Sequence, residues 1–229
     1  DFCLSRGLGD VYKRQDKHSG PMKNRATLSV KRGMDVVGSA VALLCFSPFL
    51  LGISLVLLAV QGPPLLFRQE RAGYRGRVFQ IRKFRTMSMA TGPDRQLLRD
   101  ADRVTGIGRW LRRTSLDELP ELVNVLVGQM SLVGPRPLPV AYLPLYDEKQ
   151  RRRHEVRPGL TGLAQVYGRN RLTWEERFAY DVDYVDHASL LLDLKIIWRT
   201  VFVVVRGGGA EAQNGLTSEP FAGPPVGAS

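Results

Sequence analysis

The longest apolar run in the chain covers residues 36–60 and contains no charged residue. A helix of this length, at about 1.5 Å per residue, would cross the hydrocarbon core of a bilayer, which is about 30 Å thick. Near its middle, Pro48 removes a backbone donor, and the Ser47 hydroxyl can bond to the backbone groups that this leaves free. The pattern therefore predicts a membrane helix that is broken at Ser47 and Pro48.

The charges on either side of this run are balanced. Seven Lys or Arg residues lie within residues 11–35, and seven lie within residues 61–85. A spanning helix normally carries its cations on the cytoplasmic side, so equal flanks indicate no preferred orientation. A re-entrant helix, which enters and leaves by the same face, satisfies both flanks, and we favour it over a kinked single span. We expect Lys31 and Arg32, which lie next to the run, to hold lipid headgroup phosphates.

The remaining pattern predicts an α/β body that is mostly helical, with a small β-hairpin region and surface amphipathic helices. Strands are expected at 66–67, 78–81 and 164–166, and helices at 106–113, 142–154, 174–185 and 189–205. The first two strands flank a Gly-containing turn at 73–76 and form the hairpin. The last helix contains Asp193, Lys195 and Arg199, and such charges favour a surface helix over a membrane span. We expect Asp193 to form a structural ion pair.

Four segments follow from these patterns. Residues 1–21 show no periodicity and are predicted to be an extension that is non-native or disordered. The basic flank and the re-entrant helix occupy residues 22–60, and a body facing the cytoplasm occupies residues 61–206. Residues 207–229 are rich in Gly, Pro and Ala and are predicted to form a flexible tail.

The formal net charge of +11 indicates an anionic partner. Nucleic acid, anionic lipid headgroups and phosphorylated substrates all fit this charge. No nucleic-acid-binding motif is present in the sequence, so nucleic acid is not expected as a partner. Cys3 and Cys45 do not have the spacing of a disulfide framework or a zinc site.

Candidate chemistry lies around residues 115–137. Ser115 and Glu118 precede an apolar run with the spacing of a capping box, which would put Asp117 and Glu118 in the first turn of a helix. Capping alone explains acidic residues there. The surroundings suggest more, because Arg112 lies just upstream and Arg136 lies between two prolines. An aspartate near several arginines stays ionised and can serve as a nucleophile or a Mg²⁺ ligand, so the spacing permits phosphoryl transfer without requiring it.

Longer motifs in a fixed order carry a resemblance over about residues 31–221. They are KRGMD (31–35), FSP (46–48), FRQERAG (67–73), KFRTM (83–87), SLDELPELVNVL (115–126), MSLVGPRP (130–137), RPGLTGLAQVYGRN (157–170) and LLDLKI (191–196). In these motifs the chain resembles the bacterial sugar transferases, which are monotopic phosphoglycosyl transferases acting on polyprenyl phosphates. The resemblance implies a catalytic domain on the cytoplasmic face of the bacterial inner membrane.

The resemblance also implies a reaction and its residues. A phosphosugar passes from a UDP-sugar to a polyprenol phosphate, UMP is released, and Asp117 carries the covalent intermediate. Glu118 is then either the general base or a positioning group, and Mg²⁺ is expected near Asp117. Nucleotide or phosphate contacts are expected from Lys83, Arg112, Arg136 and Arg169.

Two alternatives remain at this stage. The first is a non-enzymatic basic protein of the membrane surface that binds nucleic acid or anchors an assembly. The second is a phosphatase or pyrophosphatase that acts on lipid diphosphates. An Asp117→Asn variant would keep membrane binding in the first case. The second would release free phosphate without a nucleotide sugar.

Overall fold

A computed structural model describes residues 25–91, 94, 96, 98–168, 172–205 and 221–223. Within this part the protein is mostly helical with two small two-stranded sheets, which confirms the predicted mostly helical α/β class. The elements are α1 (Arg25–Gln61), β1 (Leu66–Ala72), β2 (Val78–Phe84), α2 (Asp100–Arg103), α3 (Gly106–Thr114), α4 (Glu121–Leu126), β3 (Ser131–Val133), α5 (Glu148–Arg151), β4 (Gly159–Thr161), α6 (Leu163–Tyr167), α7 (Trp174–His187) and α8 (Leu190–Val205). Short 3₁₀ turns cover Tyr74–Gly76, Leu116–Glu118, Val140–Leu145 and Arg152–Glu155.

Helix α1 continues through Pro48, so the predicted break is wrong at the level of secondary structure. Pro48 cannot donate to the carbonyl of Leu44, four residues earlier. The hydroxyl of Ser47 donates to that oxygen instead, at 2.7 Å, which confirms the expected role of this side chain. The acceptor left free by proline is satisfied, and helical structure continues on both sides. By length and composition, α1 is able to cross a membrane.

The C-terminal part of α1 packs on the body, whereas its middle does not. Ile53 and Leu57 are buried in one cluster with Phe84 of β2 and Leu111 of α3. Residues 44–49, in contrast, are all exposed. Six consecutive residues cover more than one helical turn of 3.6 residues, so no side of the helix touches the body there.

The N-terminal part of α1 is held by ionic and polar contacts. Lys31 donates to the carboxylate of Asp193 on α8 at 2.6 Å, which confirms the predicted structural ion pair. Arg32 donates to the carbonyls of Val125 and Leu126 at 2.7 and 2.8 Å. These are end carbonyls of α4 that lack partners within their helix. The predicted headgroup role of both cations is therefore wrong, since the body of the protein engages them.

Strands β1 and β2 form the predicted antiparallel hairpin, with longer strands than expected. Directly opposite residues include Phe67 with Lys83 and Arg71 with Phe79. Phe79, like Ile81, is buried in a cluster with residues of α4 and of the segment before β3. Because opposite residues lie on the same face of a hairpin, Arg71 and Lys83 both belong to this inward face.

The second sheet joins distant parts of the chain. Strands β3 and β4 are parallel, and Ser131 lies opposite Gly159. The carboxylate of Asp35 on α1 accepts hydrogen bonds from the Ser131 hydroxyl at 3.0 Å and from the Leu132 amide at 2.9 Å. The strand that precedes Arg136 is thus fastened to the apolar helix.

Two predicted elements differ from the structure. The helix expected at 142–154 is divided into two 3₁₀ turns and α5, because Asp147 caps a new helix through a hydrogen bond from the Gln150 amide at 2.7 Å. The strand expected at 164–166 is helix α6 instead. The strand lies a few residues earlier, where the carbonyl of Thr161 accepts a hydrogen bond from the Gly134 amide at 2.9 Å.

Helices α7 and α8 occur where they were predicted, and they carry the main core. Tyr184 and Ile196 are each 1% exposed within it. Of the predicted flexible tail, residues 221–223 lie in the described part. Phe221 is buried there against Tyr146 and Phe178, unlike a loose tail.

Candidate active site

The backbone around Ser115 brings Asp117 and Glu118 to the site. Ser115 has a φ of 57°, in the left-handed region, where it ends helix α3 before a 3₁₀ turn over residues 116–118. Its side chain makes no capping hydrogen bond, so the predicted capping box is wrong. A non-glycine residue in this region costs about 1–2 kcal/mol, and such strain is often found at functional sites.

Glu118 is held by two cations. Its Oε1 lies 2.5 Å from Nζ of Lys83 and 2.6 Å from Nη2 of Arg136. Burial alone would raise the pKa of Glu118, but the charges and hydrogen bonds of Arg136 and Lys83 outweigh burial and hold that pKa well below its usual range. Glu118 is therefore a fixed anion at neutral pH, and it brings together two of the predicted phosphate-binding residues.

Asp117 has the opposite environment. Asp117 is only 9% exposed. Within the described part of the chain, no group donates a hydrogen bond to its carboxylate. Burial raises the pKa of Asp117, and the charge of Glu118 raises it further. The cations Lys83, Arg136 and Arg112 act against this rise. Neighbouring carboxylates with pKa values pushed in opposite directions are typical of sites where each has its own role.

Arg112 completes this charge cluster from helix α3. Its Nε donates to the hydroxyl of Thr86 at 2.8 Å, which holds the guanidinium in place. The structure thus brings together Asp117 and Glu118 with Lys83, Arg112 and Arg136 as predicted. The predicted contact residue Arg169 lies outside the described residues.

Arg136 is fixed through its backbone. Its carbonyl accepts a hydrogen bond from Nη2 of Arg153 at 2.7 Å, and Arg153 is itself paired with Asp181 at 2.7 Å. Gly134, two residues earlier, lies so close to the neighbouring strand that a Cβ there would come within 2.4 Å of the Arg157 carbonyl. Only glycine allows this approach, and it sets the path of the chain that delivers Arg136.

A magnesium ion fits the site in one way only. In the described part of the chain, no group of three or more His, Cys, Asp or Glu side chains converges to hold a metal. Magnesium is usually bound by one or two carboxylates together with water and substrate phosphates, so a complete protein cage is not required. Asp117, whose carboxylate accepts no hydrogen bond from the part of the chain that the structure describes, supplies the kind of oxygen ligand that such an ion prefers.

Sequence reasoning missed three residues of the site. Glu121 is 2% exposed, and its Oε1 lies 3.2 Å from Nζ of Lys83. Thr86 positions Arg112, and Arg71 faces the same cluster from β1. The spacing of Glu118 and Glu121 is a signal that could have found the second carboxylate, since residues three apart on a helical turn are neighbours.

The buried carboxylate of Asp117, with its raised pKa and the cations around it, marks a candidate functional site. Comparison with known proteins supplies the family. The family model described as bacterial sugar transferase matches residues 26–207, and the chain belongs to that family. The resemblance in the sequence motifs is thereby confirmed. The protein is an enzyme, a transferase, which removes the non-enzymatic anchor interpretation.

Individual relatives cover most of the chain. It is 47% identical to an uncharacterized sugar transferase, EpsL, of Bacillus subtilis over 85% of this chain and 96% of the relative. It is 46% identical to the UDP-glucose:undecaprenyl-phosphate glucose-1-phosphate transferase of Caulobacter vibrioides over 80% of this chain and 72% of the relative. A protein of the same name from Klebsiella pneumoniae is 41% identical over 78% of this chain, which spans only 41% of that longer relative.

Proposed function

We propose that the protein transfers a sugar 1-phosphate from a UDP-sugar to a polyprenol phosphate and releases UMP. The observation that carries this proposal is the buried carboxylate of Asp117, which lies among the cations Lys83, Arg112 and Arg136 and accepts no hydrogen bond from the described residues. Relatives that are named as UDP-glucose:undecaprenyl-phosphate glucose-1-phosphate transferases support these substrate classes.

In the first step, an oxygen of the Asp117 carboxylate attacks the β-phosphorus of the UDP-sugar. A bond forms between this oxygen and phosphorus, and the bond from phosphorus to the bridging oxygen of the diphosphate breaks. UMP leaves with that oxygen, and the phosphosugar stays on Asp117 as an acyl phosphate. Lys83 and Arg136, which meet at Glu118, are positioned to stabilise the charge that develops on the phosphate oxygens.

In the second step, an oxygen of the polyprenol phosphate attacks the same phosphorus. The bond to Asp117 breaks, the carboxylate is regenerated, and the sugar is now linked to the lipid through a diphosphate. Glu118 is a poor general base for this step, because its pKa lies well below neutral pH. Of its two expected roles the geometry favours positioning, with Glu118 holding Lys83 and Arg136 in place.

Magnesium would be held by Asp117 together with phosphate oxygens of the donor. When bound, it would neutralise part of the diphosphate charge. Glu118 is already engaged by two cations, which leaves Asp117 as the carboxylate available to the ion. We expect chelation of divalent cations to lower the rate of transfer and added Mg²⁺ to restore it.

We further propose that α1 is re-entrant and that the body lies on the cytoplasmic face of the bacterial inner membrane. Both parts of α1 that flank residues 44–49 contact the same body, through Lys31 on one side and through Leu57 on the other. The fully exposed stretch between them supports an axis that bends away from the body and into lipid. A re-entrant α1 would hold the site at the depth of a lipid phosphate.

The topology is tested by labelling a single cysteine. Cys3 and Cys45 are replaced by serine, and Leu28, which is 46% exposed, is replaced by cysteine. A membrane-impermeant maleimide should label this site in inverted membrane vesicles and not in intact spheroplasts. The reverse pattern would mean that α1 spans the membrane.

The reaction is tested by measuring UMP release from detergent-solubilised protein given undecaprenyl phosphate, Mg²⁺ and a panel of UDP-sugars. We expect release that requires the lipid and disappears in the Asp117→Asn variant. The matched control is Asp102→Asn, which removes an exposed carboxylate that pairs with exposed Arg99. Folded wild-type protein that releases no UMP with any donor would refute the proposal. Release of free phosphate from a lipid diphosphate, without a nucleotide sugar, would instead indicate the phosphatase.

A further inference from the structure

Arg71 occupies a fixed position on the inward face of the hairpin. It lies opposite Phe79 and on the same face as Lys83, four positions away along the strand pair. Its backbone also forms a bridge to Pro139, and the amide of Ala72 donates to the carbonyl of Leu138 at 3.0 Å. Both edges of β1 are therefore held at this point, and the chain segment that follows Arg136 runs alongside it.

The guanidinium of Arg71 is only partly satisfied. Nη2 donates to Oε1 of Gln69 at 2.6 Å, and Nη1 lies 3.5 Å from the carbonyl of Pro137, at the limit of a hydrogen bond. Nε is buried and has no hydrogen-bond partner among the described residues. Within the described residues no carboxylate forms an ion pair with Arg71, although Glu118 and Glu121 lie near enough to influence its charge.

The charge balance around Arg71 favours binding of an anion. The carboxylates of the cluster are Asp117, Glu118 and Glu121, and its cations are Lys83, Arg71, Arg112 and Arg136. Burial lowers the pKa of Arg71, and the charge of the neighbouring Arg136 lowers it further. Two guanidinium groups that feel each other's charge in a partly buried site repel, and a negative group bound by both relieves this repulsion. Arginine forks match the oxygen geometry of phosphate.

We infer that Arg71 is a further substrate-binding residue, which together with Arg136 binds one phosphate group of a substrate. The inference rests on the proposed transferase function and extends it to a residue outside the predicted set. The phosphate is either the α-phosphate of the nucleotide-sugar donor or the phosphate of the polyprenol acceptor. Arg71 binds and orients this group, while Asp117 carries the covalent chemistry.

The test compares Arg71→Gln, Arg71→Lys and the control Arg68→Gln. Arg68 is on the same strand but on the opposite, exposed face. KM is measured for the donor at saturating acceptor and for the acceptor at saturating donor. We expect Arg71→Gln to raise one of these KM values by about 10- to 100-fold, the range for loss of a charged hydrogen bond. Arg71→Lys should recover part of the loss, and Arg68→Gln should match the wild type.

The two KM measurements, one for the donor and one for the acceptor, identify which phosphate Arg71 binds. An increase in the donor KM assigns the α-phosphate, and an increase in the acceptor KM assigns the lipid phosphate. Unchanged KM values in both arms, or a fall in kcat alone, would overturn the inference, as would an equal effect of Arg68→Gln. Thermal unfolding of each variant checks the fold, and Arg71→Lys replaces Arg71→Gln in the comparison if the latter unfolds.

Failure of the proposed function gives a different result. If wild-type protein releases no UMP, the reaction is wrong, and calorimetric titration with inorganic pyrophosphate then tests Arg71 without turnover. Weaker binding by Arg71→Gln than by wild type and Arg68→Gln would support an anion site at Arg71. Equal binding by all three proteins would overturn it.

Discussion

The ammonium group of Lys83 lies 2.5 Å from Oε1 of Glu118, and it also lies 3.2 Å from Oε1 of Glu121. One cation from β2 thus contacts two carboxylates, one in the 3₁₀ turn Leu116–Glu118 and one at the start of α4. Because Glu118 also binds Arg136, the same contact joins the hairpin to the loop after β3. The hairpin, the helical turn and the loop are therefore aligned around one charge network.

Removing the charge of Lys83 should disable transfer. In Lys83→Met, Glu118 and Glu121 lose the cation between them, and the developing phosphate charge loses a donor. We expect kcat to fall by about 100- to 1,000-fold, as is typical for loss of one such group. The measurement is UMP release at saturating substrates. The control Arg82→Gln changes a neighbouring cation on the opposite face and should stay close to the wild type. A variant at Lys83 with normal kcat would show that the ammonium has no part in the reaction.

The ion pair between Lys31 and Asp193 should be important for stability. The side chains are 15% and 5% exposed, and the Tyr184 hydroxyl also donates to Asp193 at 2.7 Å. Lys31→Met leaves a buried carboxylate without its cation, which should lower the free energy of unfolding by about 3–5 kcal/mol.

The double variant Lys31→Met, Asp193→Leu provides the control for this pair. It removes both charges, so most of the lost stability should return. Thermal unfolding in detergent, followed by circular dichroism, gives the comparison. A double variant no more stable than Lys31→Met would show that packing at this junction matters more than the charges.

His154 should make stability depend on pH. Its Nδ1 bonds to the Gly73 carbonyl at 3.0 Å, and burial, followed by the charge of Arg153, lowers the pKa of His154 to about 4. In the unfolded chain the pKa of histidine is about 6.5, so between pH 7 and pH 5 the unfolded state binds more protons at this residue than the folded state. The free energy of unfolding therefore falls as pH falls. Between pH 7 and pH 5 we expect a loss of up to about 2 kcal/mol from this group.

The variant His154→Asn isolates that contribution. Its amide can still donate to the Gly73 carbonyl but does not titrate. The difference in unfolding free energy between wild type and variant should therefore change with pH in the stated direction. A difference that is constant from pH 7 to pH 5 would contradict the prediction.

Phe221 should fasten the end of the described chain. It is 6% exposed, its ring centroid lies 5.0 Å from that of Phe178, and its amide donates to the Tyr142 hydroxyl at 3.2 Å. Phe221→Ala should weaken docking by about 2 kcal/mol, the contribution of a buried phenylalanine side chain. The free energy of unfolding, measured in detergent, should fall by this amount in Phe221→Ala and stay at the wild-type value in Ala222→Ser, whose site is exposed. An unchanged free energy of unfolding in Phe221→Ala would contradict the prediction.

Local patterns predicted well wherever local physics decides the structure. The hairpin, α7 and α8 follow from alternation and amphipathicity. The hydroxyl of Ser47 also behaves as expected. In each case the residues involved are neighbours in sequence, or the motif already contains the relevant groups. The catalytic roles of Asp117 and Glu118, which rest on motif and charge, stay predictions.

Predictions failed where a partner that is distant in sequence determines which contact a residue makes. Lys31 and Arg32 look like membrane-surface cations, but Asp193 and the end carbonyls of α4 bind them. Glu118 fits a capping box, but Lys83 and Arg136 provide stronger partners than a backbone amide. The strand near residue 160 also depends on contact with Gly134. Sequence spacing carries no information about such pairings.

Lys31 and Asp193, which join α1 to α8, are separated by 162 residues of chain. During synthesis at about 5–20 residues per second, Asp193 is made about 8–32 s after Lys31. Throughout that interval the ammonium of Lys31 has no counter-charge from α8. Under the proposed re-entrant topology, Lys31 would belong during this time to the basic flank that stays on the cytoplasmic side, and it would pair with Asp193 only after α8 is made.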